Sequence, residues 1–272
     1  MQTLAEIRQI LEERCMSPRH KLGQNFLIDH NLIRKLVDAS GVGAGDLVLE
    51  IGPGTGTMTE ELLDRGCRVV ACELDAEMAE LLRDRLGSRS GFVLIEGDCL
   101  ESKHELSRVV ADALGDERFT LVANLPYGAA TPVMLRLLLD WPACKGQFVT
   151  IQREVADRLM ANPGSKAYGV ISVVAQLFAG VELVARLPRE CFWPQPDVAS
   201  AMVSVVPVGS HNGFDRRVFA AFCQKLLGQR RKQLGGVLGK DGVLPEGVDP
   251  KSRAESLPPA RFLDLYLAQS AR

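Results

Sequence analysis

The sequence predicts an α/β fold in which a mostly parallel sheet, built from βαβ units, is followed by a small α-helical C-terminal domain. Three observations predict it. Between Leu47 and Gln152 short apolar runs alternate with segments of helical period, the pattern of stacked βαβ units. The first run ends in Gly52-Pro-Gly54-Thr-Gly56, a turn of the kind that brings backbone close to a ligand at a strand's carboxyl end. After Pro207 the composition shifts to a polar stretch, Gly209 to Gly213, and then to helical segments.

The elements follow in order. Met1 to Arg14 alternates Glu and Arg around Leu4, Ile7, Ile10 and Leu11, an amphipathic helix. Leu47 to Ile51 is a strand followed by a helix near Thr57 to Arg65, and Arg68 to Glu73 a strand followed by a helix near Glu77 to Leu86. A strand at Phe92 to Glu96, a helix about His104 to Leu114, a strand at Phe119 to Ala123, a helix about Pro132 to Leu139 and a strand at Gln147 to Ile151 complete five strands. Helices near Glu154 to Met160 and Val170 to Ala179 precede two β-rich runs, Val181 to Leu187 and Ala199 to Val206. These two runs flank a proline-rich turn and add strands at one sheet edge. The remaining helices lie near Arg216 to Leu227 and Arg261 to Ala268, which divides the chain into domains 1–207 and 208–272.

With 272 residues the chain holds one core domain of about 200 residues and an appendage. Its 46% hydrophobic and 24% charged residues exclude long disorder, and no apolar run reaches membrane-spanning length. The acidic residues of the first helix argue against a signal or transit peptide, so a cytoplasmic protein is expected. Seven cysteines include no C-x-x-C pair and the four histidines stand apart, which predicts core thiols in a reducing compartment and no metal site. Charge is uneven: residues 208–272 carry 11 Lys and Arg against 6 Asp and Glu, or +5, leaving −7 of the net −2 on the rest. Such asymmetry points weakly to a polyanionic partner.

Dinucleotide folds use G-x-G-x-x-G, but the position that would hold the third glycine is Thr57. The G-x-G-x-G spacing of Gly52, Gly54 and Gly56 instead resembles S-adenosylmethionine sites; a tight turn without a ligand is the alternative. Glu73 ends the second strand, 21 residues after Gly52, where a carboxylate can accept hydrogen bonds from both ribose hydroxyls. Helix initiation is the competing role for Glu73 and the favoured one, as an N-cap, for Asp75. Asp98, ending the third strand, is placed to accept from an adenine amine or else to brace its own turn.

The fourth strand ends in Asn124-Leu125-Pro126-Tyr127, similar to the [Asp/Asn]-Pro-Pro-[Tyr/Phe] signature of enzymes that methylate planar amines. An aniline-like amine delocalises its lone pair into the ring and is a poor nucleophile. The Asn124 carbonyl and a backbone carbonyl that accept its two hydrogens pull the nitrogen toward tetrahedral geometry, proline holds the turn, and tyrosine offers a face on which a flipped base stacks. The methylated nitrogen is acidic enough to lose its proton to water, so the chemistry requires neither a general base nor a metal. An ordinary strand-to-helix turn is the alternative.

These motifs occur in order with His20-Lys-Leu-Gly-Gln-Asn-Phe-Leu27, Gln152-Arg-Glu-Val, Pro163-Gly-Ser-Lys-Ala-Tyr168, Phe192-Trp-Pro-Gln-Pro196, Ser200-Ala201, Gln229-Arg-Arg-Lys232 and Arg253-Ala-Glu-Ser256. Over nearly its whole length the chain resembles the KsgA/RsmA group of small-subunit ribosomal RNA adenine dimethyltransferases. The resemblance implies a Rossmann-like class I S-adenosylmethionine methyltransferase sheet. It implies transfer of four methyl groups to two adjacent adenines in the 3′-terminal hairpin of 16S rRNA, and a role in assembly of the immature small subunit; a monomer is expected, although the sequence leaves the oligomeric state open. By motif, Asn25, Leu27, Gly52, Gly54, Gly56, Glu73, Asp98 and Asn124 would bind the cofactor. Asn124, Leu125, Pro126 and Tyr127 would hold the target amine and base, with Phe192 as a second stacking surface or, equally, a core aromatic. Gly128-Ala-Ala130 replaces a run that is usually more polar and predicts a looser loop there. Arg230, Arg231 and Lys232 read either as cations complementing a helix C-terminus or as phosphate contacts. The alternatives are a large-subunit rRNA adenine methyltransferase, against which Thr55 argues, and a non-catalytic assembly factor. A DNA adenine methyltransferase would need a larger recognition region, and a nicotinamide oxidoreductase leaves Asn124 to Tyr127 unexplained.

Overall fold

The computed structural model describes residues 1–19, 22–102, 105–209, 213–239 and 242–270. His20 and Lys21 of the N-terminal motif, His104 at the expected helix start and residues 210–212 of the expected linker lie outside them. In chain order the elements are α1 (Leu4–Glu13), β1 (Phe26–Leu27), α2 (His30–Ser40), β2 (Leu47–Ile51), α3 (Thr57–Asp64), β3 (Arg68–Glu73), α4 (Ala76–Leu86) and β4 (Phe92–Glu96). There follow β5 (Leu100–Ser102), β6 (Glu105–Leu106), α5 (Arg108–Leu114), β7 (Phe119–Asn124), α6 (Tyr127–Asp140), β8 (Cys144–Gln152), α7 (Arg153–Leu159) and α8 (Val170–Phe178). The chain continues through β9 (Ala179–Leu187), β10 (Phe192–Trp193), β11 (Ser200–Pro207), α9 (Arg216–Leu227), α10 (Leu234–Leu238) and α11 (Pro259–Ser270).

Seven strands form the main sheet in the order β4-β3-β2-β7-β8-β11-β9, the first five parallel and the last two antiparallel. The apolar runs are continuous because helices cover both faces. Leu49, Leu121 and Val149 point into the cluster that holds α6 and α8, while Val48, Val69 and Val122 point into the one that holds α2 and α3. Each of these side chains is fully buried, a contribution of about 1.5–3 kcal/mol apiece.

Local signals set the helix ends. Thr3 and Glu6 form a reciprocal capping box on α1, and Asp75 accepts from the Glu77 backbone N–H at 3.1 Å as the N-cap of α4. The helix expected from His104 begins instead at Arg108, after the small β5–β6 hairpin, where Ser107 caps it. Helix α6 starts at Tyr127, five residues before Pro132, so Gly128 to Ala130 form helix rather than a loosened loop. Pro132 can stand inside because its missing N–H would have served the carbonyl of Gly128, which is exposed to water. Helix α2 adds a cover the sequence reading lacked: Ile33, Leu36 and Val37 are buried, Asp29 caps its start and Gly41 its end.

Beyond Pro207, Phe219, Leu226, Phe262 and Leu265 are fully buried in the same apolar cluster as α6 and α8. Phe178 of α8 meets Phe219 edge-on at 5.7 Å, and Tyr266 meets both Phe214 and Phe219 at 5.5 Å. The basic triplet lies just past the end of α9. Arg230 donates to the carbonyls of Lys166 and Tyr168 and faces Glu255 at 3.5 Å, whereas Arg231 and Lys232 are exposed. Arg230 is therefore a tie between the C-terminal region and the Pro163 to Tyr168 segment. No helix among the described residues is long and apolar enough to cross a membrane.

Candidate active site

Between β2 and β7 the parallel strand order reverses, and there the strand ends open onto a cavity of about 540 Å³. Such a reversal leaves a crevice because the flanking connections run to opposite faces of the sheet. Asn25, Leu27, Gly52, Gly54, Glu73, Asp98, Asn124, Pro126 and Tyr127 all border it. Gly56, Leu125 and Phe192 do not.

The glycine turn is shaped by approach. Gly52 has φ +70°, and a Cβ there would lie 2.8 Å from the Pro126 ring, so the turn after β2 packs directly on the turn after β7. Gly56 corrects the expectation of a cofactor contact. Its φ is +88° and a Cβ would meet Leu82 at 2.9 Å, so this glycine permits α3 to sit on α4.

Glu73 is 6% exposed and accepts from the backbone N–H groups of Gly54 at 3.1 Å and Asp75 at 3.0 Å. Burial pushes its carboxyl above the ordinary range, and the backbone N–H groups of Asp75, Gly54 and Leu74 pull it back. A carboxylate has about four acceptor sites, so these contacts leave capacity to accept from a ribose. Glu50 also borders the cavity, 2% exposed, and accepts from the Thr59 hydroxyl at 2.7 Å. Burial raises it to about 8, opposed by the Thr59 bond and reinforced by Glu73. Two buried carboxyls with spare acceptor capacity, beside a close-packed glycine turn, suit a nucleoside that carries a positively charged amino-acid tail. Asp98 borders the cavity and also braces its own turn, accepting from Leu100 N at 2.9 Å. The thiols of Cys72 and Cys99 are pushed by burial to about 12, so this wall is apolar rather than nucleophilic.

At the other end Asn124 donates through Nδ2 to the backbone carbonyl of Asn25 at 3.0 Å. That bond fixes the amide's orientation and leaves Oδ1 available as an acceptor. Leu125 is 2% exposed with its side chain in the core, so only its backbone could reach an amine. Tyr127 borders the cavity, half-buried, with its hydroxyl 2.9 Å from that of Ser200.

Phe192 departs from the stacking role. It is 2% exposed, pairs with Leu27 in the short β1–β10 ladder and packs in the core cluster with Ile33 and Leu36. The ladder ties the N-terminal segment to the end of the proline-rich turn: Phe26 stacks on Trp193 at 6.2 Å, and the Arg8 guanidinium lies over the indole at 5.2 Å from its ring centre. The sequence reading assigned no role to Glu50, Ile33, Met58 or Ser200. Glu50 had a signal, an acid in an otherwise apolar strand just before the glycines; Ser200 stood in the Ser200-Ala201 motif, but its contact with Tyr127 had no signal because the two lie 73 residues apart.

A sequence profile described as ribosomal RNA adenine dimethylase matches residues 16–269. The "Ribosomal RNA small subunit methyltransferase A" of Rhodococcus opacus is 39% identical, covering 96% of this chain and 92% of its own. The protein of the same name from Geobacillus thermodenitrificans is 36% identical, covering 97% and 94%. Among solved structures, a dimethyladenosine transferase from Plasmodium falciparum aligns with TM-score 0.73 at 23% identity over 89% of this chain and 96% of that one. The 23S rRNA methyltransferase ErmE aligns with TM-score 0.68 at 22% identity over 90% and 100%. These two show a shared class I methyltransferase fold.

Proposed function

The chain belongs to the ribosomal RNA adenine dimethylase family, and from that premise we propose how its site works and on what. It is an S-adenosylmethionine-dependent rRNA adenine N6-dimethyltransferase. Its substrate is two adjacent adenines in the 3′-terminal hairpin of 16S rRNA, met in the immature small subunit by a monomer in the cytoplasm. The observation that carries the chemistry is the Asn124 amide, fixed by the Asn25 carbonyl, on the border of the same cavity that Glu73 and Asp98 line.

S-adenosylmethionine supplies an electrophilic methyl group on its sulfonium. Glu73 would accept from the ribose hydroxyls and Asp98 from the adenine amine of that cofactor, and Glu50 would offer a carboxyl to its cationic end. Asn124 Oδ1 and the Leu125 carbonyl accept the two hydrogens of the target amine, directing its lone pair toward the methyl group. These bonds strengthen as the nitrogen becomes tetrahedral, so they favour the transition state over the bound base. Pro126 holds the turn and Tyr127 stacks on the flipped base. The proton leaves to water. Exposed Arg231 and Lys232 contact phosphates, which accords with the positive charge of residues 208–272.

Mapping N6-methylated adenines in rRNA from cells with and without the protein tests this reading. Loss of paired dimethyladenines from small-subunit rRNA is expected. Loss from large-subunit rRNA instead would favour the other rRNA reading, and unchanged methylation beside defective subunits would favour a non-catalytic assembly factor.

A further inference from the structure

We infer that Ser200 is a positioning residue for the target base, acting by anchoring the Tyr127 hydroxyl and so fixing the ring on which the base stacks; this rests on the stacking role proposed for Tyr127. The two hydroxyls stand 2.9 Å apart across 73 residues of sequence. The two ends of the contact differ in rigidity. Ser200 is 1% exposed and opens β11, an interior strand, where its backbone lies in register with Gln152 on one side and Leu187 on the other. The neighbouring Ala199 carbonyl accepts from Arg153 N at 3.0 Å. The Ser200 backbone is thus held by ladders on both sides.

Tyr127 has no such support along its own helix. It is the first residue of α6 and half-buried, and its neighbours toward the helix interior are Gly128 and Ala129. Both are small, so the first turn of α6 sets no bulky side chain next to it. A half-buried ring on the first residue of a helix can turn about its side-chain torsions unless its polar tip is tethered. The Ser200 bond is that tether. Burial raises the Tyr127 phenol above its ordinary value, which keeps the hydroxyl protonated and able to hydrogen-bond at neutral pH. A stacking platform that is tethered at its tip holds the base's amine in line with the methyl donor for a larger fraction of the time. Positioning of this kind acts on the rate and not on cofactor binding.

The test is a double-mutant cycle with Ser200→Ala and Tyr127→Phe, each of which removes the bond while sparing the ring. Methylation of small subunits that lack the modification is followed in single turnover at saturating cofactor, and cofactor affinity is measured by calorimetry. Each single variant is expected to slow transfer about fivefold to tenfold, the scale of one neutral hydrogen bond. The double variant should match either single one, because both delete the same contact. Cofactor affinity should stay at the wild-type value in all three. Rates at the wild-type level in both single variants, or losses that multiply in the double, would overturn the anchoring. Tyr127→Ala separates this from failure of the underlying reading. If Tyr127→Ala is slow while the other variants run at wild-type speed, only the tether is wrong. If Tyr127→Ala is itself unimpaired, the stacking role is refuted and the tether falls with it.

Discussion

Glu50→Gln should change how stability depends on pH. The carboxyl is 2% exposed beside the cavity near the end of β2, accepts one hydrogen bond from Thr59 at 2.7 Å and is pushed to about 8 by burial. Its ordinary value is near 4.5. Between these two values the unfolded chain ionises at this residue and the folded chain keeps its proton, so unfolding releases a proton and stability falls as pH rises. The loss accumulates from about pH 4.5 to pH 8 and levels off above, and a displacement of that size corresponds to on the order of 5 kcal/mol. Glutamine keeps the size of the side chain and an acceptor for Thr59 but has no proton to hold. Urea unfolding of the unliganded proteins can be followed by fluorescence of Trp141 and Trp193. The two proteins should be close in stability near pH 5, with the variant increasingly the more stable toward pH 8. A cation held beside Glu50 favours the ionised carboxylate, so cofactor affinity of the wild type should rise with pH below about 8 and that of the variant should not. A stability difference that stays flat across this range would show that Glu50 ionises normally in the fold and would remove the argument.

Glu73→Ala deletes a charged acceptor for two ribose hydroxyls and should weaken cofactor binding by about 1.5–3 kcal/mol; unchanged calorimetric affinity in a folded variant would remove Glu73 from the site. Asn124→Ala should lower single-turnover methylation about 10²–10³-fold with a smaller effect on cofactor affinity, and a near wild-type rate would refute the amine-polarising role. Replacing Arg231 and Lys232 by Ala, while keeping the tie made by Arg230, should flatten the slope of log affinity for small subunits against log salt by about 1.4, from roughly 0.7 per phosphate contact. Binding that retains its wild-type strength and slope would show that both side chains simply face water.

The sheet was legible because its information is local. Leu47 to Ile51 and Phe119 to Ala123 are apolar runs bounded by turn residues, and the five parallel strands lie in the main sheet at or within three residues of the expected ends. The misplaced boundaries came from signals that cut two ways. Pro132 resembles the first residue of a helix and is its sixth. Gly56 matches the spacing of a ligand turn and serves helix packing, because sequence spacing cannot separate a glycine needed for a ligand from one needed for a neighbouring helix. Phe192 follows the same logic: an aromatic beside a proline-rich turn suits either a stacking surface or a core, and its pairing with Leu27 places it in the core.

What the sequence could not supply is the set of contacts made across long separations, and these decide how the site is held. Asn124 owes its orientation to a backbone carbonyl 99 residues earlier, and Tyr127 finds its hydroxyl partner 73 residues later. Asp75, favoured as a helix cap alone, also receives bonds from Arg19 and Gln24, so the segment that precedes Asn25 is fastened to the strand end that carries Glu73. Residue types at the site follow from the chemistry of a methyl donor and a weakly nucleophilic amine, and those types appear at strand ends where a reader of sequence can find them. The bonds that orient those groups fall between elements far apart in the chain, where no local period or motif records them. The N-terminal segment is one such case: it meets Asn124 through the Asn25 carbonyl, Asp75 through Arg19 and Gln24, and Phe192 and Trp193 through the β1 pairing. A disturbance of that segment should therefore reach Asn124 and the strand end that carries Glu73 together, which neither the glycine turn nor the Asn124 tetrapeptide would indicate if read alone.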